Sequence, residues 1–164
     1  MAREPLDRMN CSIAHALDVV GSIDGFLILR NAFNGMRTFD AFQDHLGLSS
    51  SVLSTRLKQM TEAGILRKTP SPTDGRSYEY RLTEQGLGLY PVMVALLHWG
   101  ERWTPDPGGE RMFLTETATG RPVAQMAVRS EDGRPLRPQE ITAVAGPGAD
   151  DKIRQLVGWR HRQG

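Results

Sequence analysis

One stretch of the sequence decides the fold. Residues 38–64 read TFDAFQDHLGLSSSVLSTRLKQMTEAG. Thr38 is a good helix cap, and the helix that follows it ends at Gly47. The apolar side chains of this helix recur at spacings of three and four: Phe39, Phe42 and Leu46. One residue, Leu48, separates the glycine from Ser49, which can cap a second helix that reaches Ala63. The stretch therefore predicts two short helices joined by a tight turn.

The second of these helices has two different faces. Its predicted inner side chains are apolar: Leu53, Leu57 and Met60, joined by Val52. Its outer side chains are polar and follow the spacings i, i+4, i+7 and i+11: Ser51, Thr55, Lys58 and Glu62. We therefore expect one face in the core and the other in solvent.

The flanking segments complete a winged helix-turn-helix. Two β-prone runs, Ile65–Thr69 and Tyr78–Leu82, are joined by prolines and an Asp-Gly pair that predict a projecting hairpin, the wing. Upstream, periodicity predicts a helix capped by Ser12 or Asn10 and a buried helix over Ile23–Phe33. Downstream, it predicts a long helix capped by Thr83, interrupted by Pro91 and ending at Trp103: residues 84–103.

Composition narrows the function class. The 164 residues carry a net charge of +1, so bulk charge does not argue for or against nucleic acid. Residues 54–81 hold six basic and three acidic side chains, and residues 152–164 hold four basic ones and no acid. A single cysteine excludes an internal disulfide framework. No apolar run is long enough for a membrane helix and the start is not a secretory signal, so we expect a cytoplasmic protein without a membrane partner.

A break at Thr104–Gly109, rich in proline and glycine, divides the chain. We expect a winged helix-turn-helix domain for DNA binding and dimerisation over residues 1–104, and a small β-hairpin extension with a short basic C-terminal helix over 105–164. Three strands (Met112–Thr117, Val123–Val128 and Glu140–Val144) and a helix over Lys152–Trp159 are predicted there, with Ile153, Leu156 and Val157 facing inward. The fold class is thus mainly α with a small β wing (α+β), followed by a small β-rich module.

This order of elements favours double-stranded DNA as the partner. A recognition helix in a major groove about 12 Å wide needs short hydrogen-bonding side chains and a few long cations. The second helix supplies that mixture: Ser49, Ser50, Ser51, Thr55, Arg56 and Lys58. We predict that the major groove is faced by Ser50, Ser51, Thr55 and Arg56. We predict that phosphates are contacted by Lys58, Arg37, Thr38, Arg76 and Ser77, with Thr73 nearby in the wing.

Other chemistry is not expected. No nucleophile elbow, Walker loop or dinucleotide fingerprint is present, so we predict no enzyme and no cofactor. The four histidines share no ligand-like spacing with one another or with Cys11, so we predict no metal site. The last long helix has apolar residues on several faces, which predicts a homodimer contact: Tyr90, Met93, Val94, Leu97, Trp99 and Trp103. Four of these leave open an aromatic pocket for a small-molecule effector: Tyr90, Met93, Trp99 and Trp103.

Residues 9–103 resemble the HxlR family of bacterial transcriptional regulators. The resemblance rests on short runs spread over the domain: Cys11-Ser12-Ile13, Ala16 to Gly21, Leu27 to Arg30, Arg37-Thr38-Phe39, Leu53 to Leu57, Ala63 to Leu66, Tyr78 to Thr83 and Trp99-Gly100. One departure is Asp24, where family members usually carry tryptophan. In the extension, residues 119–123 and 132–136 look like the knuckles of a zinc ribbon without its cysteines.

The resemblance implies a cytoplasmic homodimer that pairs through its N-terminal and last helices, with Ile13 and Leu17 at the interface. It implies binding to inverted-repeat operators, with repression or activation of transcription and half-sites about 34 Å apart. Some family members sense oxidants through an N-terminal cysteine, so Cys11 is a candidate redox residue, while burial as a small apolar side chain is the alternative. The alternative function is a winged-helix module for protein interaction or ligand sensing without DNA binding, which the near-neutral charge of residues 1–104 leaves open.

Overall fold

As far as residue 82, the helices and strands follow the predicted order along the chain. The computed structural model of the protein describes residues 4–72 and 75–159. The helices are α1 (Ser12–Val20), α2 (Ile23–Phe33), α3 (Phe39–Leu46), α4 (Ser50–Glu62), α5 (Glu84–Leu87), α6 (Tyr90–Trp103) and α7 (Asp151–Trp159). The strands are β1 (Leu66–Pro70) and β2 (Tyr78–Leu82), and short 3-10 helices cover Leu6–Arg8 and Pro138–Glu140. The fold is mainly α with a small β wing, which confirms the predicted class.

The chain divides into two compact units. The first unit is continuous and runs over Ile23–Ala127, and it holds α2 to α6 with the wing. The second consists of the described parts of Met1–Ser22 and Val128–Gly164, and it holds α1 and α7. This grouping differs from the predicted boundary after residue 104. The division into functional domains at that residue stays a prediction.

The α3–α4 turn is built as the sequence predicts. The Thr38 hydroxyl accepts the Ala41 N–H at 3.3 Å, so it caps α3. Gly47 ends that helix with φ of 62°, in the left-handed region that glycine adopts without strain. The Ser49 hydroxyl then accepts the Val52 N–H at 3.4 Å and caps α4.

The core lies on the inner side of this turn. Eight apolar side chains of the first unit are at most 1% exposed: Ile28, Leu29, Phe42, Leu53, Leu57, Met60, Ile65 and Leu66. The predicted inner row of α4 is therefore confirmed. Val52 does not join it and is 39% exposed. Its position differs because Val52 lies about 100° from Leu53 around the helix, toward the outer face.

The wing rests on the beginning of α3. Strands β1 and β2 pair antiparallel, from Leu66 opposite Leu82 to Pro70 opposite Tyr78. The Tyr80 N–H donates to the Arg37 carbonyl at 2.7 Å. Thr38 also forms an isolated bridge with Glu79. These contacts fix the position of the hairpin relative to α3.

The predicted long helix is two helices. Thr83 caps α5 by accepting the Gly86 N–H at 3.1 Å. A side chain at Gly86 would collide with the Ile65 carbonyl oxygen, so glycine allows α5 to approach β1 closely. Pro91 does not kink a continuous helix. It is the second residue of α6, where the missing N–H has no intrahelical partner to lose.

Two predictions about the first helices are wrong in detail. Cys11, not Ser12 or Asn10, occupies the N-cap position of α1, and its side chain makes no capping hydrogen bond. Helix α2 is not buried all round, because Ile23 is 80% and Leu27 is 37% exposed. Because the sequence of α2 is apolar almost throughout, it did not show which face of the helix lies in the core and which is exposed.

The three strands predicted in the extension are absent from the described residues. Backbone pairing there is limited to two isolated bridges, Thr115 with Pro122 and Arg129 with Pro135. The two predicted knuckle-like turns are present, and each contains a glycine with positive φ, Gly120 and Gly133. Each bridge is flanked by two backbone hydrogen bonds, and among the described residues neither pairing extends into a ladder.

In the second unit, the C-terminal segment holds the N-terminal one. The Asn10 side chain donates to the Gly148 carbonyl at 3.2 Å and accepts the Asp150 N–H at 3.3 Å. The Lys152 ammonium lies 3.0 Å from a Glu4 carboxylate oxygen, and this hydrogen bond raises the pKa of Lys152. Helix α7 matches its prediction in extent, but Leu156 is 66% exposed and does not face inward.

No single helix among the described residues is both long and apolar enough to cross a membrane. The neighbouring helices α1 and α2 reach the length and apolar composition of a membrane span only when they are counted together across the break between them.

Replacement of Leu53 tests the core. Leu53 is fully buried and Val52 is 39% exposed, yet they are neighbours on α4. We expect Leu53→Ala to lower the free energy of unfolding by about 2–5 kcal/mol, because it leaves a cavity. Val52→Ala should change it by no more than about 0.5 kcal/mol. Urea denaturation followed by circular dichroism measures both, and equal losses would contradict this assignment of the core.

Candidate nucleic-acid interface

The outer face of α4 is polar and exposed along its length. Ser51, Thr55 and Lys58 are all exposed, as predicted. The Thr55 hydroxyl donates to the Ser51 carbonyl at 2.9 Å, and the Ser49 and Ser51 hydroxyl oxygens are 3.2 Å apart. Each hydroxyl oxygen keeps capacity to accept a further hydrogen bond. The face therefore offers short donors and acceptors, with Val52 as an apolar neighbour.

The start of α4 is tied to α3. The Gln43 amide donates to the Ser50 hydroxyl at 2.7 Å across the turn. This contact uses one acceptor site of Ser50 and leaves the hydroxyl proton for an external acceptor. The bond also holds the first turn of α4 in register with α3.

Arg56 has an intramolecular partner that the sequence analysis did not assign. Its Nε lies 3.6 Å from the Asp24 carboxylate, and its Nη1 donates to the Gln59 side chain at 2.9 Å. The two charged side chains are 29% and 30% exposed. Nε itself is buried without a hydrogen-bond partner among the described residues. The predicted contact of Arg56 with the major groove stays a prediction, and it would require this pair to loosen.

Asp24 is also the residue that departs from the family pattern. The resemblance implies tryptophan at that position, and this chain instead places a carboxylate next to the arginine of α4. The substitution thus has a local explanation, since a carboxylate compensates a partly desolvated guanidinium. Sequence spacing alone could not show this pairing, because the two residues are 32 positions apart.

The second cation of α4 is more accessible. The Lys58 ammonium lies 3.8 Å from the Glu62 carboxylate one turn later, and the two side chains are 75% and 65% exposed. A pair this exposed contributes little and exchanges readily for another anion. Lys58 is therefore the cation that α4 presents most openly.

The wing carries exposed cations, and the prediction named only some of them. Arg76 is exposed and Ser77 is half-buried, while Thr73 lies outside the described residues. Arg67 and Lys68 on β1 are also exposed and were missed as individual contacts, although the basic window included them. The Lys68 ammonium lies 4.1 Å from the centre of the Tyr78 ring, which holds this cation against the strand.

The beginning of α3 contributes next to the wing. Arg37 is exposed, and its carbonyl accepts the Tyr80 N–H of β2. Thr38 is exposed, but its hydroxyl already caps α3. The structure therefore brings Arg37 to the base of the wing, as a phosphate contact requires. The basic tail side chains Arg160 and Arg162 lie outside the described residues.

The predicted dimer residues are distributed unevenly. On α6, Trp99 and Trp103 are 60% and 63% exposed, whereas Val94 is buried and belongs to the core. The exposed apolar row of α6 includes two residues that the prediction omitted and follows the spacings i, i+4, i+7 and i+11: Val92, Leu96, Trp99 and Trp103. We call these four residues the α6 stripe. On α1, Ile13 and Leu17 are 73% and 47% exposed.

Two further expectations concern reactive groups. Cys11 is a half-buried free thiol at the N-cap position of α1. Within the described ranges, no three histidine, cysteine, aspartate or glutamate side chains lie close enough together to hold a metal ion.

The Asp24–Arg56 contact leads to a prediction about stability. In a double-mutant cycle with Asp24→Asn and Arg56→Gln, we expect a coupling free energy of about 0.5–1.5 kcal/mol, because the pair is partly desolvated. The matched pair on the same helix, Lys58 with Glu62, should give no more than about 0.5 kcal/mol. Urea denaturation at low and moderate salt measures both cycles, and a larger coupling for the exposed pair would contradict the geometry.

Comparison with known proteins places the chain among HTH-type transcriptional regulators. Residues 19–107 match the family model described as HxlR-like helix-turn-helix. The uncharacterized HTH-type transcriptional regulator Rv3095 of Mycobacterium tuberculosis is 33% identical over 142 residues, which cover 87% of this chain and 90% of that protein.

Solved structures agree with this placement. The structure of PA1607, a proposed transcription factor, is 36% identical and superposes with a TM-score of 0.79, covering 85% of this chain and 98% of that one. PA1374 of Pseudomonas aeruginosa, also a proposed transcription factor, is 34% identical with a TM-score of 0.60, covering 89% of this chain and 99% of that one. Both similarities extend well beyond the helix-turn-helix.

Proposed function

The chain belongs to the HxlR-like helix-turn-helix family and is a transcriptional regulator of winged-helix type, and on that premise we propose that it binds an inverted-repeat operator in double-stranded DNA as a homodimer. We propose that it works in the cytoplasm and controls transcription there, as a repressor or as an activator. The observation that carries the proposal is the exposed polar row of Ser51, Thr55 and Lys58 on α4, held in place by the fully buried opposite face.

Base reading is assigned to the short side chains of α4. Ser50, Ser51 and Thr55 carry hydroxyls that both donate and accept, so they suit the mixed edges of base pairs in a major groove. Arg56 joins them only when it leaves Asp24. The proposal therefore gives Arg56 a conditional contact, whereas the hydroxyl side chains need no rearrangement.

Phosphate contacts are assigned to residues around this face. Lys58 is the open cation of α4, Arg37 lies at the base of the wing, and Arg76 and Ser77 follow the wing tip. Such contacts set register and supply much of the affinity, since each releases condensed counterions. Because Lys58 also faces Glu62, DNA competes with an exposed ion pair that costs little to break.

Dimerisation is assigned to apolar side chains that the single chain leaves in solvent. The α6 stripe presents two tryptophans and two aliphatic residues on one side of one helix, and a contiguous row of this kind is typical of an interface. Ile13 and Leu17 on α1 supply further exposed apolar surface. A two-fold dimer would match an inverted repeat, one α4 helix for each half-site.

One observation favours a second candidate function. Both cations of α4 face carboxylates of the same chain, and residues 1–104 hold equal numbers of acidic and basic side chains. A winged helix that binds another protein or a ligand would show the same balance. The dependence of binding on salt separates the two, because DNA affinity falls steeply with salt and a protein interface need not.

Selection of bound sequences from random duplex DNA tests the DNA proposal, with paired threonine variants as control. Thr55 and Thr61 are both on α4 and both donate to the carbonyl four residues earlier, but only Thr55 is exposed on the outer face. We expect an enriched inverted repeat, and about 5- to 150-fold weaker binding to it by Thr55→Val. Thr61→Val should bind the repeat unchanged.

The same selected duplex tests the phosphate contact. Lys58→Gln should weaken binding to all sequences alike and reduce the salt slope of log affinity by about 1. Failure to enrich any sequence, with the protein folded, would support the second candidate function. Loss of sequence preference in Lys58→Gln would instead show that Lys58 contacts a base and not a phosphate.

The dimer proposal predicts the effect of a charge in the α6 stripe. Leu96 is 51% exposed within the stripe, and Leu87 is 55% exposed on α5 outside it. We expect Leu96→Glu to convert the dimer to a monomer, because it buries an unpaired carboxylate at the interface. Leu87→Glu should remain dimeric. Sedimentation equilibrium measures the mass, and a dimeric Leu96→Glu would exclude the stripe as the interface.

A further inference from the structure

A cleft in the first unit lies between α2, α6 and residues 111–114, and we call it the α2–α6 cleft. Its volume is about 390 Å³, within the range of roughly 300–1,000 Å³ that small-molecule sites occupy. Most of its wall is apolar: Phe33, Tyr90, Met93, Leu97, Met112 and Leu114. The cleft differs from the pocket expected from sequence, because Tyr90 and Met93 line it but Trp99 and Trp103 do not.

Three charged side chains also line the cleft, and two of them neutralise each other. The Glu101 carboxylate accepts the Arg111 backbone N–H at 3.1 Å and lies 3.8 Å from the Arg111 Nη1. The Arg111 Nη2 faces the Asp106 carboxylate at 3.8 Å. Arg111 is thus matched by two carboxylates, and Glu101 by one guanidinium.

The third charge, Arg30, has no such partner. Among the described residues, no carboxylate lies within ion-pair distance of its guanidinium. Its Nε donates to the Asn31 side-chain oxygen at 3.1 Å, which leaves the two terminal nitrogens for another acceptor. Arg30 therefore places one uncompensated, half-buried positive charge at the edge of an apolar cleft.

We propose that the α2–α6 cleft binds a small organic carboxylate with an apolar body. The carboxylate would take the free edge of the Arg30 guanidinium, whose planar geometry suits bidentate contact. The apolar body would fill the space between Phe33, Tyr90 and Met93. The role of the cleft as the effector site of a DNA-binding regulator rests on the proposed function. Binding of a carboxylate to the cleft is nevertheless measured without DNA.

The position of Arg30 connects the cleft with the helix-turn-helix. Asn31 is 2% exposed, accepts from Arg30 Nε, and makes a 3.0 Å hydrogen bond between its Nδ2 and His45 Nδ1. His45 belongs to α3, the first helix of the helix-turn-helix. A carboxylate that draws the Arg30 guanidinium toward the cleft disturbs the hydrogen bond from Arg30 Nε to the Asn31 oxygen, and so acts on the side chain that is bonded to α3.

Calorimetry on the full chain without DNA tests the site. The probes are benzoate, phenylacetate, 3-phenylpropanoate and octanoate, each paired with its neutral amide. We expect at least one carboxylate to bind with one site per chain, and its amide to bind about tenfold or more weakly. Amides that bind as well as their acids, or no binding by any of the four acids at millimolar concentration, would overturn the proposal.

Variants separate the site from general charge effects. Arg30→Gln should weaken carboxylate binding about tenfold or more and leave amide binding unchanged, and Arg30→Lys should recover part of the affinity. Arg67→Gln, which removes the same charge from the exposed wing of the same unit, is the matched control and should bind normally. Met93→Trp should exclude acids and amides alike, because it fills the cleft. Equal binding by Arg30→Gln and Arg67→Gln would overturn the assignment of Arg30.

The connection to the helix-turn-helix has its own measurement. Nuclear magnetic resonance of the Asn31 side-chain amide should show a shift on addition of the bound carboxylate, and none in Arg30→Gln. Carboxylate binding without any change in operator affinity would contradict an effector role while leaving the site intact. Operator binding that fails altogether would contradict the proposed function and leave the calorimetric result unaffected.

Discussion

The burial of one side of α4 is the constraint on which the rest of the fold depends. Leu53, Leu57 and Met60 are within 1% of full burial, and they meet a core that includes Phe42 of α3 and Ile65 at the start of the wing. A helix this firmly seated cannot rotate without exposing large apolar surface. The orientation of its polar side follows directly, so the same apolar row that stabilises the fold decides which hydroxyls reach solvent.

Local signals made most of this domain predictable. Several signals act within a few residues of the place where a helix begins or ends: the caps Thr38 and Ser49, the left-handed Gly47 and the break before α6. Such signals can be recognised in the sequence without knowledge of distant contacts. The wing followed from two β-prone runs joined by prolines and an Asp-Gly pair. The exposed and buried rows of α4 followed from periodicity alone.

Contacts between distant residues were not predictable in this way. Asp24 and Arg56 pair across two helices, and the carboxylate is visible in the sequence only as a departure from a family pattern. The α2–α6 cleft depends on residues from three separate segments and could not be assembled from spacing. The predicted strands of the extension do not form, because β-prone residues without continuous partners adopt turns and single bridges.

The second unit is discontinuous in sequence, and this has a consequence for synthesis. Ile23–Ala127 emerges from the ribosome as one uninterrupted segment, so its core can form while the chain is still growing. Helix α1 is made before it, but the contacts of Asn10 and Glu4 wait for Gly148, Asp150 and Lys152. The segment that precedes α1 is therefore made first but gains these partners only when the C-terminal segment has been synthesised.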